Sequence, residues 1–189
     1  MTQQGKNAID LVLAESLIEL SAKKPIDKIT IKEITDKAGV IRPTFYNHFQ
    51  DKYELIEWII KIELLEPIKP LLNAGMIFEA IVLMLNNITA NSVFYKKALK
   101  LEGAVTFNQI AMKCVYEMFM NIISEKSTGK KSKYRWLTPE VISTYYAQSL
   151  CFITEGWIAQ GMDDIEPKEM AEAYMYLITR SMDDILSEL

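Results

Sequence analysis

"IRPTFYNHFQDKYEL", residues 41–55, holds the only histidine of the chain, two of its nine tyrosines, one proline and one arginine. Four ring-bearing side chains fall in the five positions from Phe45 to Phe49. Such crowding fits either an active site or a surface that grips a large charged partner. The residues just before it choose between these. Thr30-Ile31-Lys32-Glu33 places a hydroxyl three positions ahead of a glutamate, the capping box that satisfies orphan backbone donors at a helix start. The short helix it opens, "IKEITDKA", meets Gly39, a residue suited to a left-handed C-cap. A second short helix follows from Arg42 to about Asn47. Two short helices across a tight glycine turn form a helix-turn-helix, whose second helix enters the major groove of DNA.

Charge is compatible with this reading once its position is considered. The chain of 189 residues carries a net charge of −4. Between Lys23 and Lys52, however, seven basic residues face four acids (Asp27, Glu33, Asp36, Asp51), a local excess of three positive charges. A basic segment on an acidic protein can still meet phosphate. An enzyme is disfavoured: there is one histidine, no glycine-rich phosphate loop and no Cys/His set with metal-ligand spacing. No catalytic residue, metal or cofactor is expected. Cys114 and Cys151 lie in apolar helical patterns and read as small buried hydrophobes in a reducing compartment. No run of 18 apolar residues marks a membrane span. The polar start "MTQQGKNAID" lacks a signal region, so a cytoplasmic location is expected.

Half of the residues are hydrophobic, enough for a sizeable core. The pattern is helical throughout. Ile9, Val12, Leu13, Ser16, Leu17 and Leu20 recur at the spacing of one helix face. Asp51 to Glu54 opens a longer helix through Leu65. "EPIKPLLNAG", residues 66–75, has two prolines and a glycine and reads as a joint. Helical stretches then cover "MIFEAIVLMLNNI", "SVFYKKAL" and "NQIAMKCVYEMFMNIIS", followed by a basic loop from Lys126 to Arg135. Thr138-Pro139-Glu140 starts a helix running to Gly161, and a last helix begins near Pro167. The expected fold is all-α with about nine helices. Residues 1–52 form a three-helix DNA-binding unit, 53–74 a connecting helix and hinge, and 75–189 a helical ligand-binding and dimerisation bundle.

The run "ITIKEITDKAGVIRPTFYNHFQDKYELI", residues 29–56, resembles the tetracycline-repressor (TetR) family of bacterial regulators. It carries the Ala38-Gly39-Val40 turn, the Thr-Phe-Tyr-x-His-Phe core from Thr44 to Phe49, and Lys52 and Leu55 of the next helix. The resemblance implies a DNA-contacting surface of Thr30, Ile41, Arg42, Pro43, Thr44, Tyr46, Asn47, His48 and Lys52. Arg42 has the two-pronged donor that suits guanine. Thr44 and Tyr46 offer hydroxyls to phosphate oxygens, contacts that fix register rather than sequence. Lys52 sits in a first helical turn that already favours phosphate, and His48 matches the family's histidine. Phe45 and Phe49 read as core. Ile41 departs from the family's capping serine or threonine, an omission that costs about 1 kcal/mol of helix stability. It is instead able to touch a thymine methyl. Pro43 sits in the first turn, where its missing N–H does little harm.

Beyond residue 75 the family resemblance lies in helical layout. "SLCFITEGWIAQGMDD" and the chain length resemble the subgroup that includes activators of dihydroxyacetone-kinase operons. Nine of the ten methionines lie at position 76 or later, in keeping with either a pliable pocket or an ordinary core. Helical facing nominates Met84, Phe94, Tyr95, Met112, Tyr116, Phe119 and Phe152 for a small-molecule site. Two apolar stripes on the last two helices need neighbours on more than one face. The family meets this by pairing copies, which nominates Tyr145, Ser149, Ile153, Gly156, Trp157, Tyr174, Leu177, Ser181 and Met182 for an isologous homodimer interface. The expected partners are thus a palindromic double-stranded DNA operator, a second copy, and an effector. That effector is a small molecule in the second unit or, as the operon-activator resemblance implies, a protein coactivator. No membrane partner is expected.

Overall fold

The computed structural model describes residues 3–103, 105–126 and 133–188, with side chains from residue 8 onward. Residues 127–132 of the basic loop and the first two of the polar N-terminus lie outside the described residues. The described residues are helical, with no strand. The N-terminal elements are α1 (Gln3–Ser21), α2 (Ile31–Ala38), α3 (Arg42–Tyr46) and α4 (Lys52–Ile59), the last continued by a π-helical segment, Ile60–Leu65. Then come α5 (Lys69–Asn73), α6 (Ile77–Ala90), α7 (Ser92–Ala98), α8 (Phe107–Lys126), α9 (Pro139–Ala159), α10 (Pro167–Thr179) and α11 (Met182–Glu188).

Two of these eleven helices were not expected. One is α5, a five-residue helix inside the proline-rich joint, with Pro70 in its first turn where no N–H is needed. The other is α11. The last helix does not run on to the C-terminus, because Arg180 turns extended (φ −106, ψ 151) and ends α10. Ser181 then starts a new helix. Its Oγ accepts from the Asp184 N–H at 3.2 Å and the Asp184 carboxylate accepts from the Ser181 N–H at 3.2 Å, a capping box with aspartate in place of glutamate.

The π-helical segment has a cause in the sequence. In an α-helix the Glu63 carbonyl would accept from residue 67, but Pro67 has no N–H. The Asn87 side chain takes that place, donating to the Glu63 carbonyl at 2.8 Å, and Glu66 N–H closes a five-residue turn onto Lys61.

One buried apolar cluster runs from Leu13 to Tyr174. Around α3 it contains Leu13, Leu17, Ile34, Phe45, Phe49 and Leu55. Through Ile59, Ile60 and Leu64 it continues into the larger bundle, where α8 lies along α9 and α10 against α6. On α1 the inward face is Asp10, Leu13, Ala14 and Leu17, whereas Val12, expected inside, is exposed. Four charged side chains bind α4 to α8: Lys61 Nζ lies 2.7 Å from Glu57 and 2.9 Å from Glu117, and Lys113 Nζ lies 2.8 Å from Glu57. Their mutual attraction outweighs burial and raises the Lys61 pKa. Cys114 and Cys151 are buried free thiols whose pKa is pushed up to about 12 by burial, which makes them poor nucleophiles. No single helix among the described residues is long and apolar enough to cross a membrane.

Candidate nucleic-acid interface

The turn between α2 and α3 is built as its sequence demands. Thr30 accepts from the Glu33 N–H at 3.3 Å while the Glu33 carboxylate accepts from the Thr30 N–H at 2.9 Å, completing the capping box. Lys24 and the two Thr30 donors hold the Glu33 carboxyl down at a pKa of about 2. Gly39 adopts φ +69, a left-handed conformation that a Cβ would penalise. Val40 N–H then bonds back to the Thr35 carbonyl at 3.0 Å, and the chain enters α3 with no side-chain cap at Ile41. Pro43 occupies the first turn of α3.

Burial divides the ring-dense segment. Phe45 and Phe49 point into the core, with ring centroids 5.9 Å apart. Burying each fully is worth about 1.5–3 kcal/mol. With one face of α3 so anchored, Ile41 (69 % exposed), Arg42, Pro43, Tyr46 (49 % exposed) and Asn47 lie outward, and Thr44 is half-buried. Thr30 is exposed beside them at the start of α2. Arg42 and Tyr46 are a pair: Nη2 donates to the tyrosine hydroxyl at 3.1 Å and the guanidinium carbon lies 5.7 Å from the ring centre.

The other two expected residues are turned inward. His48 Nδ1 donates to Asp10 Oδ1 at 2.6 Å, and both side chains are almost fully buried. Lys52 Nζ donates to the carbonyls of Ile26, Asp27 and Ile29 at 3.0, 2.7 and 3.2 Å. An ammonium has three donors, so all are engaged, and burial lowers its pKa. Four nearby lysines form ion pairs at the surface. Lys24 pairs with Glu33, Lys28 with Asp27, Lys32 with Asp36 and Lys37 with Glu19. Arg42 has no carboxylate partner among the described residues. Asp10 was missed from sequence, since one acid among apolar residues of α1 gives no sign of a partner 38 positions away.

In the second unit, Met84 and Tyr95 line an apolar internal cavity of about 40 Å³. Tyr95 OH donates to the Glu63 carboxylate at 3.2 Å. Phe94 is buried edge-on against Tyr95 but does not line the cavity. Met112, Tyr116 and Phe119 are partly buried elsewhere, Phe119 against Tyr146, and Phe152 is 76 % exposed on α9. Thr154 borders the cavity, and its hydroxyl is buried without a hydrogen-bond partner among the described residues.

Of the nominated interface residues, Tyr145 (60 % exposed), Gly156, Leu177, Ser181 and Met182 are exposed, and Ser149 and Ile153 are half-buried. Trp157 and Tyr174 are internal. The Trp157 indole donates to the Ile165 carbonyl at 2.9 Å, and Tyr174 OH lies 3.0 Å from Ser149 Oγ.

A helix-turn-helix unit continued through a π-helical segment into a larger all-α bundle is the layout of a DNA-binding transcriptional regulator. Residues 15–59 match the bacterial regulatory proteins of the tetR family, and residues 76–180 match a transcriptional regulator C-terminal region of that family. The chain belongs to the tetR family of bacterial transcriptional regulators. The HTH-type dhaKLM operon transcriptional activator DhaS of Lactococcus lactis subsp. lactis (strain IL1403) is 26% identical over 152 residues, 79% of either chain. The solved dihydroxyacetone kinase operon activator DhaS superposes with a TM-score of 0.63 at 21% identity, covering 90% of this chain and 93% of that one. NalD, the secondary repressor of the MexAB-OprM multidrug efflux pump in Pseudomonas aeruginosa, superposes at 0.59 and 12% identity, covering 92% and 96%. At these identities the superpositions establish a shared fold.

Proposed function

We propose that the protein is a homodimeric, sequence-specific DNA-binding regulator that acts in the cytoplasm on a palindromic operator. Residues 1–52 serve as its DNA-binding unit, 53–74 as its connector and 75–189 as its regulatory and dimerisation unit. The observation that carries this reading is the outward Arg42–Tyr46 pair on a helix whose other face is pinned by Phe45 and Phe49. In the major groove Arg42 reads a guanine edge, Ile41 and Pro43 offer apolar contact, and Thr30, Thr44, Tyr46 and Asn47 reach phosphates. His48 and Lys52 act by fixing α3 and the start of α4. A two-fold dimer sets two such helices about 34–36 Å apart, one turn of DNA.

Control enters through the second unit, which shifts α4 and with it the spacing of the two α3 helices. The interior supports control by a partner protein on the outer surface, since about 40 Å³ is far below the roughly 300 Å³ of a small-molecule pocket. A small-molecule effector is the second reading, favoured by the unpartnered Thr154 hydroxyl at the cavity edge. Selecting bound duplexes from a random pool tests the function: a palindromic consensus with half-sites one turn apart is expected, and no enrichment overturns the reading. Operator affinity that responds to a metabolite panel would support the small-molecule reading; no response across it would support the partner protein.

A further inference from the structure

We propose that α11 is an arm that seats on a second copy of the chain, in the groove between the C-terminal ends of α7 and α9. This rests on the homodimer reading above and names a contact that reading does not contain. The first observation is that α11 finds little support on its own bundle. Its apolar residues Met182, Ile185 and Leu186 share one helical face, yet Met182 is 69 % and Leu186 62 % exposed. A hydrogen bond from Tyr176 OH to Glu188 ties it back to α10 at 2.6 Å.

Charge and shape name the occupant. The helix has three acids, Asp183, Asp184 and Glu188, and no base. Asp184 is used in the cap and Glu188 by Tyr176, so Asp183 is the acid left without a partner among the described residues. The groove has an open volume of about 800 Å³ and an apolar floor that includes Leu99, Phe152, Ile153 and Trp157. Lys96 and Lys100 stand over this floor. Lys100 has no carboxylate partner among the described residues, and Lys96 has only a 3.7 Å approach from the outward Asp163. The one acid in the lining, Glu155, is held by the Asn108 amide at 2.7 and 2.8 Å.

Topology excludes the chain's own arm. The Ser149–Tyr174 contact, with the short connection at the other end, makes α10 antiparallel to α9. Met170 of α10 lines the groove, and from there the chain runs twelve residues away from it to Met182. At 1.5 Å per residue, α11 begins roughly 18 Å from the α10 end of its own groove. Ile153 and Gly156 of the groove are both nominated above for the interface with a second copy, and a copy turned about an axis near the Ser149–Tyr174 contact brings its arm to this groove.

Sedimentation of the full chain across a dilution series tests this, beside a chain ending at Arg180, Lys100→Glu, and Lys100→Glu combined with Asp183→Lys. The truncation and Lys100→Glu are each expected to weaken dimerisation by about tenfold or more, and the added Asp183→Lys to recover most of that loss. A second measurement mixes Lys100→Cys chains with Asp183→Cys chains under mild oxidation. A disulfide-linked dimer that forms only in the mixture is the expected result. Wild-type dimerisation unchanged by truncation, with no cross-link in the mixture, overturns the arm while leaving the dimer intact. A monomeric wild type overturns the dimer reading itself.

Discussion

His48 Nδ1 donates to Asp10 Oδ1 at 2.6 Å, a bond that joins the end of α3 to α1 across 38 positions. Both groups are buried, so deleting either leaves its partner unsatisfied. Asp10→Ala is expected to cost about 1–3 kcal/mol of unfolding free energy. In a double-mutant cycle His48→Ala adds much less than its own single effect. Urea melts of the four proteins check this; full additivity would mean that the two groups do not act together.

Lys52 is expected to behave as a structural clamp. Its ammonium ties the start of α4 to three carbonyls of the loop before α2. Lys52→Ala therefore lowers stability by about 1–3 kcal/mol and leaves the salt slope of operator binding unchanged. A slope shallower by about one unit with normal stability would return Lys52 to the phosphate contacts.

The N-terminal unit was legible because its signals are local. A capping box, a left-handed glycine and ring spacing each fix a few neighbouring dihedrals, and the structure has Thr30, Gly39, Phe45 and Phe49 in the expected roles. What sequence could not give was the target of long side chains. Lys52 reads as a surface cation until the loop carbonyls of residues 26–29 fold beneath it, and His48 until Asp10 arrives from another helix. The π-helical segment was latent in Pro67, but the Asn87 that fills the lost hydrogen bond lies on α6. In the bundle, helical periodicity marked Trp157, Tyr174 and Phe152 alike as apolar. Their fates differ because the 160–166 connection meets Trp157 and Ser149 of α9 meets Tyr174, while Phe152 is left bare.

Arg42 is the one cation of α3, paired with Tyr46, and no carboxylate among the described residues competes for it. Arg42→Ala is expected to lower specific operator affinity by about 1–3 kcal/mol and relax preference at one base position. Its stability should stay within about 0.5 kcal/mol of wild type. Fluorescence anisotropy on operator and single-base variants reads this out; equal losses on every duplex would make Arg42 a phosphate contact.

Glu63 carries a sign that pH can test. Burial raises its carboxyl pKa, against the hydrogen bonds from Tyr95 and Asn91 that lower it. A carboxyl with a raised folded pKa binds its proton more tightly when folded. Its contribution is therefore full below the unfolded value and lost as pH rises through the folded one. Glu63→Gln keeps the shape and an acceptor but never ionises. It should melt higher than wild type at pH 7.5, by on the order of 2 °C, with the difference vanishing near pH 4. A difference that does not change with pH would assign it to packing.

Phe152 and Trp157 sit five positions apart on α9 and make opposite predictions. Trp157 is buried with its indole bonded to the Ile165 carbonyl, so Trp157→Ala opens a cavity and should cost about 3–5 kcal/mol of stability. Phe152 is 76 % exposed, so Phe152→Glu removes almost nothing from the isolated fold. If α9 meets its copy, however, that change puts a carboxylate into each of the two equivalent apolar contacts that the pairing buries. Dimerisation should then weaken by about 100-fold or more, equivalent to roughly 3 kcal/mol. Operator binding should fall with it, because each half-site loses the effective concentration supplied by the other. Light scattering and melting curves on both variants separate the cases. A dimeric, normally melting Phe152→Glu protein would move the interface off this face of α9.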